Sequence, residues 1–83
     1  MLTVTLYTKE NCGLCDEVKA KLATLADAYP HQLTEVNINQ NHNLFARYRY
    51  VIPDVEIGDT RLLAPIDPDR LRSLLGTAVS PAP

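Results

Sequence analysis

The segment YTKENCGLC, residues 7–15, decides the fold of this chain, because it joins an apolar run to the start of a helix. It holds two cysteines, Cys12 and Cys15, which are separated only by Gly13 and Leu14. A disulfide that closes so short a loop restricts the unfolded chain by only roughly 2 kcal/mol on the loop-entropy model. Chemistry therefore explains this pair better than stability does.

The residues on the two sides of this segment follow different periodicities. Before it, Val4 and Leu6 alternate with threonines, which predicts a strand over residues 2–7. After it, apolar residues recur at helical spacing, which predicts an amphipathic helix over about residues 12–28, ended by Pro30. Asn11 is the helix cap or lies next to it. The cysteine pair is thus placed at a strand-to-helix junction.

The rest of the chain completes one small domain. The pattern predicts a strand over about residues 32–39, a short helix over 44–48, a strand over 50–57 and a returning strand over 60–63. Asp67 and Pro68 predict the start of a last helix, which Gly76 ends. The order is β-α-β-α-β-β-α. A long crossover helix makes the first two strands parallel and the hairpin is antiparallel, so the sheet is mixed. We expect one domain over residues 1–76 and a flexible tail over 77–83.

Composition and charge exclude several classes of protein. The chain has 83 residues, 46% of them hydrophobic, with a net charge of −2 and a pI near 5.5. The composition therefore shows no excess of basic residues for binding nucleic acid and no polybasic patch for binding a membrane. The first residues do not resemble a signal peptide, and no run approaches the roughly 18 apolar residues of a membrane span. We expect a cytoplasmic monomer.

A helix N-terminus is a suitable place for a reactive thiol. Its unpaired N–H groups and the positive end of the helix dipole both favour the thiolate, which is the nucleophile. We infer that Cys12, the outer residue, attacks and that Cys15, one turn inward, resolves the mixed disulfide. Lys9 adds positive charge from the preceding loop, whereas Asp16 and Glu17 oppose thiolate formation.

Other interpretations of the two cysteines remain open at this point. They can be two ordinary buried thiols. A zinc site usually needs four protein ligands, or three and a water, and the further nitrogen donors His31 and His42 are 11 residues apart, outside the usual spacing. An iron–sulfur cluster shared between two chains would use one or two cysteines from each.

Residues 7–15, together with Ile52-Pro53 at the start of a later strand, resemble glutaredoxin-like proteins of the thioredoxin fold. The similarity is greatest to a small bacterial group with a Cys-x-Leu-Cys-Asp start, and it spans about residues 2–75. It implies a thioredoxin-like α/β fold of the glutaredoxin type. In this fold a four-stranded mixed sheet is flanked by three helices, the first and third on one face and the second on the other. It also implies that Pro53 is cis and faces the cysteines, and that Ile52 offers its backbone groups to an incoming thiol peptide.

The chain departs from glutaredoxins at three places. Gly13-Leu14 replaces the usual Pro-Tyr between the cysteines, and Val51-Ile52 replaces Thr-Val before the proline. Residues 64–69 stand where glutaredoxins hold the glutamyl end of glutathione. Asp67 and Asp69 in this segment would repel a carboxylate, so glutathione binding is less securely implied than dithiol chemistry.

The residues expected to bind a substrate are Lys9, Leu14, Ile52 and Pro53. Leu14 either packs inward or forms a hydrophobic surface at the site. Further candidates are arginines that would hold carboxylates and tyrosines that would line an apolar groove: Arg47, Arg49, Tyr7, Tyr48 and Tyr50. A solvated surface role for each arginine and a half-buried strand position for Tyr7 are open alternatives.

The hypothesis from the sequence is a thiol–disulfide oxidoreductase whose catalytic residues are Cys12 and Cys15. Its partner would be a disulfide-containing protein or a low-molecular-weight thiol. We expect no required cofactor or metal, with glutathione as a candidate co-substrate. Glutathione, a thioredoxin reductase or another protein would supply electrons. The alternative is an iron–sulfur cluster carrier or a non-catalytic binding module of the thioredoxin fold.

Overall fold

The computed structural model of the protein describes residues 2–79. The elements follow the predicted order β-α-β-α-β-β-α, which is confirmed. They are β1 (Leu2–Thr8), α1 (Gly13–Leu25), β2 (His31–Asn37), α2 (His42–Tyr48), β3 (Asp54–Ile57), β4 (Thr60–Leu63) and α3 (Pro68–Val79), with a short 3₁₀ turn at Ile38–Gln40. None of the helices within residues 2–79 is long and apolar enough to cross a bilayer.

The four strands form one mixed sheet in the order β2-β1-β3-β4. Strand β1 pairs with β2 in parallel and with β3 antiparallel, and β3 pairs with β4 antiparallel. Both predictions, the parallel crossover and the antiparallel hairpin, are confirmed. Because β1 lies between β2 and β3, the loop that follows it emerges at the middle of the sheet.

The two faces of the sheet are covered by different helices. On one face, Val4 and Leu6 of β1 lie beside Ile57 and Val55 of β3. They pack in one buried cluster with side chains from α1 and α3: Val18, Leu22, Leu25, Leu71 and Leu75. On the other face, Tyr7 stacks on Tyr48 of α2. The first and third helices therefore share one face and the second helix covers the other.

Asparagine side chains set two boundaries that differ from the sequence prediction. Strand β2 ends at Asn37 rather than near residue 39, because the Asn37 side chain accepts a hydrogen bond from the Asn39 N–H and starts the 3₁₀ turn. Helix α2 begins two residues early, because the Asn41 side chain accepts from the N–H groups of Asn43 and Leu44. Hydrogen bonds between asparagine side chains and backbone N–H groups compete with the regular hydrogen bonds of strands and helices. The periodicity of apolar residues does not reveal them.

Helix α3 continues past the residue that was predicted to end it. Gly76 lies inside the helix, which runs to Val79, so this prediction is wrong. A Cβ atom at position 76 would lie 3.3 Å from Cε1 of Tyr29. Gly76 therefore allows a close approach of this ring to the helix instead of stopping the helix. Residues 77–79 of the predicted tail are helical, and residues 80–83 lie outside the described residues.

Candidate active site

Cys12 caps helix α1 with its own sulfur atom. Its backbone is extended, and its Sγ accepts a hydrogen bond from the backbone N–H of Cys15 at 3.2 Å. The N–H groups of a first helical turn have no partner within the helix. Negative charge on Sγ at position 12 is stabilised by this donor and by the helix dipole. Asn11 lies next to the cap, with a φ of 58° that asparagine tolerates.

The two cysteines form a disulfide, with their Cα atoms 5.2 Å apart. Cys15 is buried, with 1% of its surface exposed, whereas Cys12 is half-exposed. Helix geometry produces this difference, because the residue one turn inward faces the core side of α1, which also carries Val18 and Leu22. Cys12 is therefore the more accessible residue of the pair.

A cavity of about 370 Å³ reaches Leu14, the residue before Cys15, although neither cysteine lines it. Leu14 and Pro53 both line it, so the residue between the cysteines and the proline before β3 share one cavity. The peptide bond between Ile52 and Pro53 is cis. The opposite wall is the segment before α3, which contributes Pro65 and Ile66.

Leu14 belongs to the surface of this cavity and not to the core. Its side chain is 59% exposed, whereas Val18 one turn later is buried. Of the two alternatives left open by the sequence, the structure supports the hydrophobic surface at the site. Glu17 and Lys21 also line the cavity. The cavity is thus largely apolar, with one acidic and one basic side chain on its α1 wall.

The other predicted substrate-binding residues lie outside the lining of this cavity. Lys9 is exposed in the loop before the cysteines, and Ile52 is half-buried next to Pro53. The Asp67 side chain accepts a hydrogen bond from the Asp69 N–H at 3.0 Å and caps α3. Asp69 lies 3.6 Å from Arg72 in an exposed ion pair. These two aspartates therefore have structural partners of their own.

The tyrosines that were predicted to line a groove beside the cysteines do not line this cavity. Because side chains alternate along β1, Tyr7 points away from the face that carries Leu6. It stacks on Tyr48 with ring centroids 4.2 Å apart on the face covered by α2. Tyr50 is 83% exposed. None of the three rings lines the cavity, and Tyr7 is a half-buried residue of its strand, which is the alternative that the sequence left open.

Sequence reasoning missed a buried ionic group at the start of β3. Asp54 is fully buried, and its Oδ2 accepts a hydrogen bond from the exposed Arg61 on β4. Arg61 Nε also lies 3.9 Å from a Glu56 oxygen. Asp54 Oδ1 has no hydrogen-bond partner among the described residues. The sequence offered one signal, a carboxylate directly after Pro53 in an otherwise apolar run.

The environment on the face covered by α2 also raises the pKa of the Tyr7 phenol. Burial raises the pKa of Tyr7 to about 12, and the nearby carboxylates of Glu56 and Asp54 act in the same direction. Both effects disfavour the phenolate anion. The Tyr7 hydroxyl is therefore protonated at physiological pH.

Within residues 2–79, no group of three or more His, Cys, Asp or Glu side chains is arranged to hold a metal ion. Cys12 and Cys15 are the sulfur ligands that the described chain offers at this site, and they are bonded to each other.

Solved structures resemble this chain over nearly its whole length. A structural genomics target protein from X. campestris is 30% identical, with a TM-score of 0.73 and with 96% of this chain and 99% of that chain covered. Protein Ne2328 from Nitrosomonas europaea is 27% identical, with a TM-score of 0.74 over 95% and 92% of the two chains. Thioredoxin O2 from Arabidopsis thaliana in its oxidized state is 18% identical, with a TM-score of 0.76 over 96% and 76%. This last similarity shows the thioredoxin-like fold alone.

A family model matches as well. The model of the glutaredoxin-like domain (DUF836) matches residues 3–76, which include all the elements from β1 through most of α3. The fold and the close pair Cys12 and Cys15 fit a redox role. The chain belongs to the glutaredoxin-like domain family.

Proposed function

We propose that this protein is a thiol–disulfide oxidoreductase that uses Cys12 and Cys15 to reduce disulfides of proteins or small molecules. The observation that carries the proposal is the difference in exposure between Cys12 and Cys15. Cys12, whose sulfur caps the helix, is partly exposed, and Cys15 is buried one turn inward. Attack requires an accessible, stabilised thiolate, and resolution requires a second thiol within bonding reach.

The reaction proceeds in two exchange steps. The Cys12 thiolate attacks one sulfur of the substrate disulfide; that S–S bond breaks, and the other sulfur leaves as a thiolate that takes up a proton. The mixed disulfide on Cys12 is then attacked by Cys15 as its thiolate, after it has lost its proton to solvent. The second substrate sulfur leaves, and the disulfide of Cys12 and Cys15 forms. Two electrons have passed from the protein dithiol to the substrate.

Substrate binding is proposed for the cavity beside the pair. Its apolar walls suit a hydrophobic side chain next to the target sulfur, and Leu14 and Pro53 would contact that side chain. The backbone of Ile52 would hold the peptide of the mixed disulfide, and Lys9 would hold a carboxylate. These roles follow from the family resemblance together with the positions of the residues.

A two-electron thiol donor must return the disulfide to the dithiol. Glutathione and a protein reductase are the two candidate donors, and both act in a reducing compartment such as the cytoplasm. Asp67 and Asp69 leave the segment before α3 without the positive charge that a glutathione carboxylate prefers. A protein disulfide is therefore the substrate class we favour.

Exchange kinetics test the proposal. Reduced wild-type protein, Cys12→Ser and Cys15→Ser are each mixed with 2-hydroxyethyl disulfide, and the thiol that is released is followed over time. We expect the wild type to release two equivalents of 2-mercaptoethanol per protein as its disulfide forms, Cys15→Ser to release one equivalent and Cys12→Ser to release none above background. Equal rates for the wild type and Cys12→Ser would contradict the proposal.

A further inference from the structure

Exposed aromatic and arginine side chains form a second surface at the end of α2. We call the side chains of Phe45, Arg47, Arg49 and Tyr50 the α2 surface. Tyr50 is 83% exposed and Phe45 is 38% exposed, which is unusual for rings of this size. The Arg49 guanidinium lies 4.5 Å from the Tyr50 ring centroid and 5.6 Å from that of Phe45. Arg49 is therefore held against two rings.

The two arginines of the α2 surface are not paired with carboxylates of the described residues. Within residues 2–79, neither Arg47 nor Arg49 forms a salt bridge, whereas Arg61 on the same side contacts Asp54 and Glu56. The Arg47 guanidinium lies 5.9 Å from the centroid of Tyr48. Aromatic rings thus lie near both guanidinium groups, and neither group pairs with a carboxylate of the described residues. An unpaired guanidinium can bind a carboxylate in bidentate geometry.

The α2 surface lies close to the candidate active site. Tyr50 precedes Pro53 by three residues, so the two Cα atoms are at most about 11 Å apart even in a fully extended chain. Pro53 lines the cavity beside the cysteines together with Leu14. A protein whose disulfide is exchanged at Cys12 would therefore reach the α2 surface with residues that flank its own cysteine.

We propose that the α2 surface docks an acidic segment of the protein whose disulfide is exchanged at Cys12. This inference rests on the proposed function and names its substrate class. The protein carries a net charge of −2, so this local excess of positive charge stands out against the whole molecule. Tyrosine and arginine are also the residue types that contribute most to binding at protein interfaces.

Charge also argues for a protein partner over a nucleic acid. Two arginines neutralise about two phosphates, whereas proteins that bind nucleic acid tightly make about 6–10 such contacts. An acidic peptide segment needs only two or three carboxylates in register. Complementary charge at the rim of an interface mainly raises the rate of association, and this effect falls with added salt.

The test uses three peptide disulfides of equal length, in which the cysteine is flanked by glutamates, glutamines or lysines. The second-order rate constant for exchange by the reduced protein is measured with each peptide. The ratio of the constant for the glutamate peptide to that for the lysine peptide is compared between variants, so that a general loss of activity cancels. The wild type should prefer the glutamate peptide by about fivefold or more at low salt and lose most of this preference at 0.5 M salt. Arg47→Glu/Arg49→Glu should abolish or reverse the preference, and Tyr50→Ala should reduce it.

Arg70→Glu is the matched control, because Arg70 is an exposed arginine on α3. It should keep the wild-type ratio. Arg47→Gln/Arg49→Gln, which adds no negative charge, should bring the ratio close to one. A ratio near one in the wild type, or an unchanged ratio in both double variants, would overturn the docking proposal.

Two further results of this experiment would lead to different conclusions. Competition by a single-stranded oligonucleotide at physiological salt would assign the α2 surface to nucleic acid and overturn the acidic-segment proposal. Absence of exchange with all three peptides, including the glutamine peptide, would overturn the proposed function itself. A measurable exchange with equal rates for all three contradicts only the further inference.

Discussion

Cys12 and Cys15 lie three residues apart, yet the sulfur of Cys12 caps the helix while Cys15 is 1% exposed. The N–H of Cys15 donates to the Sγ of Cys12, so the buried residue itself supplies a donor to the accessible sulfur. This relationship separates the two chemical roles within one turn of α1. Under the proposed function, Cys12 would be the point of attack and the burial of Cys15 would keep it from partner molecules until the mixed disulfide has formed.

Selective alkylation should follow from this arrangement. When the reduced protein is treated with a small amount of iodoacetamide at neutral pH, we expect Cys12 to be modified at least about tenfold faster than Cys15. Peptide mapping by mass spectrometry measures the two rates. The protein in 6 M guanidinium chloride is the control, in which the rates should become similar. Faster modification of Cys15 in the folded protein would refute the assigned roles.

Leu14 should affect substrate binding more than stability. Leu14→Ser removes an apolar side chain from the cavity wall, so KM for a peptide disulfide with an aliphatic neighbour should rise several-fold. Because Leu14 is 59% exposed, the urea midpoint should change little. Leu22→Ala is the matched leucine control, since Leu22 is fully buried and its loss should cost about 2–5 kcal/mol. An unchanged KM in Leu14→Ser would show that the cavity does not bind substrate.

Breaking the ion pair of Asp54 and Arg61 should destabilise the domain more than breaking a surface pair. Arg61→Met leaves the fully buried Asp54 without its partner. It should lower the urea midpoint more than Arg72→Met, which breaks the exposed pair with Asp69. Asp54→Val added to Arg61→Met should recover part of the loss, because the unpaired charge is then gone. A double variant less stable than Arg61→Met would contradict this account of the pair.

A titration at alkaline pH should detect the raised pKa of the Tyr7 phenol. The pKa of Tyr7 is raised to about 12 by burial and nearby carboxylates, against an ordinary value of 10.0. The folded state therefore favours the protonated phenol. Its contribution to stability is fully present below pH 10 and is lost as the pH rises through 12. The difference in absorbance at 295 nm between the wild type and Tyr7→Phe should titrate near pH 12 while the protein is folded. A midpoint near pH 10 would contradict this.

The sequence predicted the parts of the fold that depend on periodicity and chain direction. Alternation in β1, helical spacing after Cys12 and the crossover between the first two strands led to the correct mixed sheet. The family resemblance added the positions of the helices on its faces. A disulfide between cysteines three positions apart adds little stability, so their spacing indicates a chemical role. These features are local or depend on neighbours in the chain.

Features that depend on contacts between distant residues could not be predicted. The stacking of Tyr7 on Tyr48 brings together residues from β1 and α2, and only the assembled sheet shows that neither ring lines the cavity. Because glycine commonly terminates helices, the sequence predicts a helix end at Gly76, whereas in the structure this residue lies inside α3 against the Tyr29 ring. The burial of Asp54 depends on the antiparallel pairing that places Arg61 nearby.

Trapping the mixed disulfide tests the central claim most directly. Reduced Cys15→Ser is incubated with a peptide disulfide and analysed by intact-mass spectrometry, with Cys12→Ser in parallel. The account predicts a stable adduct of one peptide on Cys15→Ser, mapped to Cys12, and no adduct on Cys12→Ser. An adduct on Cys15 in the Cys12→Ser variant, or none on Cys15→Ser, would contradict it.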